Sequence, residues 1–142
     1  MGSVRPPAAR DWASRAAPSL EDFEVIADTA FHRLPKRFLQ ACEGLIIRIE
    51  DFPDDEVLEE FDATSEFELL GLFRGHGLAQ SEGVHTGQFP NVVYLFRRPI
   101  LDVWAEGDET LGVLIRHVLI HEIGHHFGLS DADMDRIERE AD

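Results

Sequence analysis

The segment ETLGVLIRHVLIHEIGHHF, Glu109 to Phe127, constrains the fold more than any other part of the 142-residue chain. Read at 3.6 residues per turn it is apolar on most sides, so a helix of roughly 18 residues, about 27 Å long, needs packing partners nearly all round. It is expected to be the central helix. The length suits one hydrophobic core and is too short for two ordinary domains. Hydrophobic residues make up 44% of the chain and its ten Phe are spread widely, which is enough to fold most of it.

The elements that would surround this helix can be read in order. Ser19 precedes Phe23, Ile26, Ala27, Ala30 and Leu34 on one helical stripe, which predicts a first helix over about 20–33 with Ser19 and Asp22 as its capping box. Pro35 suits the first turn of a second helix that turns Phe38, Leu39 and Cys42 inward and ends at Gly44. Leu45 to Ile49 reads as a strand, and Asp54 caps a short acidic helix with Val57, Leu58 and Phe61 facing in. LLGLFRG reads as another strand, followed by the long glycine-bearing loop GHGLAQSEGVHTGQFP; such loops are often functional. VVYLF reads as a buried strand, Pro99 opens a short helix through Trp104, and Asp131 to Arg139 forms a last polar helix. The pattern is α+β, a few helices on a small mixed sheet, with no internal repeat. Residues 1–18, rich in Ala, Pro, Ser and Arg, read as a disordered arm, and 19–142 as a single domain.

Charge and composition exclude several functions. The formal charge of −15 disfavours nucleic acid, whose binding depends on Lys and Arg displacing phosphate counterions. Ten acids and no Lys or Arg lie between Glu50 and Glu68, a run that reads first as a solvated face and second as an attraction for basic substrates. No stretch approaches a membrane span and the arm lacks a secretory apolar run, so the expectation is a cytoplasmic chain without a membrane partner. Cys42 is the only cysteine, so no intrachain disulfide and no Cys-rich zinc site can form. Any metal must rest on His, Asp or Glu.

The last turns of the central helix supply such a set. His121 and His125 are four residues apart, which places them one above the other on a helix, close enough to share one ion. Glu122 lies about 100° further round, where it can reach a water on the open side of a metal and act as general base. Two imidazoles leave an ion underliganded. Gly128 can end the helix in a left-handed turn and bring Asp131 back beneath the pair, with Asp133 and Asp135 as rivals for the same role. The pattern is H-E-x-x-H-x-x-G-x-x-D. A bare HExxH arises by chance on amphipathic helices, but Gly128 and Asp131 at these offsets on a central helix argue against accident. His117, one turn before His121, and His126, one turn after Glu122, read as packed histidines that support the site from outside. His126 or Tyr94 is available to stabilise an oxyanion. His76 and His85 fall on the long loop and read as exposed; His32 reads as structural.

LLGLFRG, VYLFRRPI and VLIHEIGHHFGLSDADMDRIE together resemble the small bacterial minimal-zincin metallopeptidases over residues 20–139. The resemblance implies a minimal zincin-like fold, one Zn²⁺ on His121, His125 and Asp131, and Glu122 as base for hydrolysis of a peptide or protein substrate. Mn²⁺, Fe²⁺ or Co²⁺ also suits such a ligand set. Met134 does not sit in the Met-turn of metzincins. With eleven residues after Asp131, the far wall of a cleft is expected from upstream: Val92 to Phe96 as a strand that pairs with a peptide, and Gly75 to Gln88 as a cover. The alternatives are a metal-binding, partner-binding module with little turnover, and a zinc hydrolase of non-peptide amides. Oligomeric state is not legible.

Overall fold

Local signals begin each helix. In the computed structural model, which describes residues 12–75 and 90–141, Ser19 caps helix α1, Leu20–His32. Its hydroxyl accepts from Asp22 N at 3.1 Å while its own N–H donates to the Asp22 carboxylate at 2.8 Å, the reciprocal box that the spacing predicts. Pro35 precedes α2, Lys36–Ala41, and Gly44 follows at φ +80°. The chain then forms β1, Ile46–Glu50, and α3, Asp55–Glu60, where Asp54 Oδ1 accepts from Val57 N. Next come β2, Gly71–Arg74, and β3, Val92–Phe96, which runs directly into α4, Arg97–Glu106. Thr110 caps α5, Leu111–His126, and the chain ends with α6, Asp131–Ala141. Residues 1–11 of the expected arm lie outside the described residues, as do His76, His85 and the rest of the expected cover beyond Gly75. Residues 12–18 are described: Trp12 packs edge-on against Trp104 at 6.0 Å, and Pro18 O accepts from Arg97 Nε at 2.6 Å.

The three strands order as β1-β3-β2, with β1 parallel and β2 antiparallel to β3. This corrects one expectation. Val92–Phe96 is the central strand, bonded on both edges, so it has no free edge for a peptide; its unbroken apolar run is what a strand covered on both faces requires. Among the described residues the strand beyond it is β2, whose Gly71 lies against Val118 and Glu122 of α5.

Side-chain parity divides the sheet into two faces. Ile47, Ile49, Phe73, Val93 and Leu95 all join the cluster formed with α1 and α5. Leu72, Arg74, Tyr94 and Phe96 face the opposite way, toward Val57, Glu56 and Glu60 of α3. Phe61, expected to point inward from α3, is 46% exposed, because the short helix ends before the turn that would bury it.

Helix α5 is enclosed as its composition demands. Leu119, Ile120 and Ile123 are fully buried among Phe23, Ala27, Val93, Leu95 and Ile100, and each such side chain contributes about 1.5–3 kcal/mol. What the surrounding elements leave uncovered is a polar edge. Among the described residues no helix is long and apolar enough to cross a membrane.

Cys42 belongs to the same core, and burial pushes its thiol up to about 11. At pH 8 the reactive thiolate is then on the order of one part in a thousand. Alkylation by iodoacetamide at that pH is expected to be slow for the folded protein and to reach one thiol per chain only after denaturation, as followed by intact mass.

Candidate metal centre

The centre is built on a helical hairpin whose turn is set by local chemistry. At the end of α5, Gly128 N donates to His125 O at 3.1 Å and Leu129 N to Gly124 O at 2.9 Å, with Gly128 at φ +73°. This is a Schellman termination, and it satisfies carbonyls that the helix end leaves open. Two residues later Ser130 starts α6: its hydroxyl accepts from Asp133 N at 3.1 Å, and its N–H donates to Asp133 Oδ2 at 3.2 Å. Gly124 lets the helices close. An added Cβ there would stand 2.5 Å from Met134 Sδ, and Met134 is fully buried.

The hairpin brings Asp131 to the paired histidines. Donor atoms of His121, His125 and Asp131 all lie within 4.8 Å of one another. Two donors on one tetrahedral zinc stand about 3.4 Å apart, so small side-chain movements close the set around an ion. The rivals are placed elsewhere: Asp133 is engaged by the helix cap and by Arg136 at 3.2 Å, and Asp135 is on the exposed side of α6.

The electrostatics of His121 fit a ligand. Burial, with the neighbouring His117 charge adding to it, lowers its proton affinity, while Glu138 opposes the shift. The neutral imidazole with a free lone pair, the form that binds metal, is thereby favoured. Its Nε2 is buried without a hydrogen-bond partner; Glu138 Oε1 lies 3.3 Å away but without the alignment of a hydrogen bond. A ring nitrogen placed like this gains from a positive charge between it and the carboxylate, which a proton or a metal ion can supply.

Glu122 projects between α5 and β2. Burial raises its carboxyl above the ordinary range, and His125 pulls the other way. Its Cγ would be 3.1 Å from a Cβ on Gly71, the first residue of β2, so the absence of a side chain at that position makes room for it. On the same flank His126 stacks on Phe73 with ring centroids 3.9 Å apart. Tyr94 does not belong here. It lies on the far face of the sheet against α3, so it is ruled out as an oxyanion stabiliser. Sequence reasoning missed Glu138, which accepts a 2.7 Å hydrogen bond from His117 Nδ1 beside His121. The signal was present: Glu138 follows Asp131 by seven residues, two helical turns, and so shares its side of α6.

The zincin-like metallopeptidase family model matches residues 42–141, most of the chain and all of the centre. The chain belongs to this family. Zincin-like metallopeptidases imply zinc binding and a metal-dependent, peptidase-like function, and the half-buried and exposed donors found here are of the type such an ion takes. Among solved structures, a conserved hypothetical protein from Thermus thermophilus superposes with a TM-score of 0.51 over 78% of this chain and 94% of that one. At 17% identity the likeness shows a shared fold. No curated protein matches the chain.

In this member of the zincin-like metallopeptidase family Gly71 is a point where strand and helix meet with no slack. A Cβ would stand 2.9 Å from Val118 Cγ1 and 3.0 Å from the Tyr94 backbone oxygen. Gly71→Ala is expected to lose about 1–3 kcal/mol of stability in urea unfolding, since a backbone atom cannot move aside as a side chain can.

Proposed function

We propose that the protein is a zinc-dependent peptidase that cleaves extended peptides laid along β2. The observation that carries the reading is the convergence of His121, His125 and Asp131 on one point, with Glu122 beside them and next to the outer edge of the sheet. His121, His125 and Asp131 would hold the ion, which supplies Lewis acidity that activates water and polarises a carbonyl.

Glu122 is the base in this scheme. It accepts the proton of the attacking water and returns it to the leaving amine, and a carboxyl whose proton affinity is raised by burial is better matched to both tasks. Among the described residues no strand pairs with the outer edge of β2, and strand addition there would hold a peptide by its main chain. His126, on the β2 flank of α5, is the remaining candidate to stabilise the oxyanion.

Glu122→Gln is expected to retain one zinc per chain and to lower kcat/KM on a cleavable peptide by at least 10²-fold, the usual range for losing a general base. Metal analysis and product detection by mass spectrometry check both halves. A Gln variant that cleaves as fast as the parent removes Glu122 from the mechanism. Chelation of the parent is expected to abolish cleavage and lower Tm, with both restored by added zinc, because an ion bound only to the native state stabilises it.

A further inference from the structure

Helices α5 and α6 lie against each other from Gly128 outward, and each carries a further polar position beyond the pair already described. On α5, His117 precedes His121 by one turn, with their rings 4.0 Å apart. On α6, Glu138 follows Asp131 on the same side. The two meet: Glu138 Oε1 is 2.7 Å from His117 Nδ1 and 3.3 Å from His121 Nε2. Donor atoms of His117, His121 and Glu138 all lie within 4.8 Å of one another, and all three residues are half-buried.

We propose that His117, His121 and Glu138 form a second cation site, sharing His121 with the first and taking a borderline divalent ion such as Zn²⁺, Co²⁺ or Ni²⁺. Two imidazoles and one carboxylate are a donor set for such ions. Glu138, with a side chain only 19% exposed, faces these imidazoles, whereas its neighbours on α6 pair with arginines: Asp133 with Arg136, and Glu140 with Arg37. The buried Nε2 of His121, without a hydrogen bond, lies on the Glu138 side.

Because a neutral imidazole offers a single free lone pair, His121 serves one ion at a time and the two sites exclude each other. An ion drawn toward Glu138 leaves Glu122 without its electrophile, so occupancy of the second site holds the enzyme inactive. That last consequence rests on the function proposed above. The second site itself stands without it.

The test is Zn²⁺ titration of the metal-stripped full chain by calorimetry, with circular dichroism as a check that each variant is folded. His125→Ala removes a donor from the first set alone, and Glu138→Gln from the second alone. The His125→Ala variant is expected to bind one Zn²⁺ at least tenfold more weakly than the parent, and His125→Ala/Glu138→Gln to weaken by a further tenfold or more. Equal binding by the single and double variants, whether both bind or neither does, overturns the second site. If Glu138→Gln alone abolishes tight binding while His125→Ala keeps it, the first set fails as the resident site and the second survives. His117→Ala replaces Glu138→Gln in the comparison if the latter unfolds.

Discussion

The reversal of the chain at Gly128 is the constraint on which the site depends. Without a left-handed residue there, α6 could not fold back on α5, and Asp131 could not reach His121 and His125. Met134 seated over Gly124 then sets how closely the two helices approach. Packing and chemistry are thus coupled through three residues: the glycine that turns the chain, the glycine that admits the methionine, and the aspartate that this geometry delivers.

Most of this architecture is legible in the sequence because it is local. The capping box at Ser19, the Asp54 cap, the glycine termination and the i,i+4 histidines are written within a few consecutive residues. The errors concern partners distant in sequence. VVYLF is apolar at nearly every position, so nothing in it distinguishes an edge strand from a central one, or says which face Tyr94 takes; register with Ile46–Glu50 and Gly71–Arg74 decides both. Phe61 faces inward by helical periodicity, but α3 has only six residues and Phe61 follows its last one, where it stays exposed. Glu138 escaped because its meaning depends on α5 and α6 lying side by side.

The helix that carries the site also illustrates how a buried element tolerates polar groups. Eight of its sixteen residues are buried, while His117 and His121 face α6 and Glu122 and His126 face β2. His121 and Glu122 are therefore half-buried: dry enough to shift their proton affinities, yet open enough to meet a ligand. A fully enclosed helix would have excluded them, and a surface helix would have left them solvated.

The short connection from Phe127 to Ser130 has a kinetic corollary. Every donor discussed lies between His117 and Glu138, so assembling them requires closing one small loop rather than pairing distant strands. Loop-closure entropy grows with the logarithm of chain length, and local contacts form sooner than the parallel pairing of β1 with β3. The donor set can therefore assemble as soon as the two helices meet, whereas the parallel pairing of β1 with β3 has to bring together segments far apart in the chain.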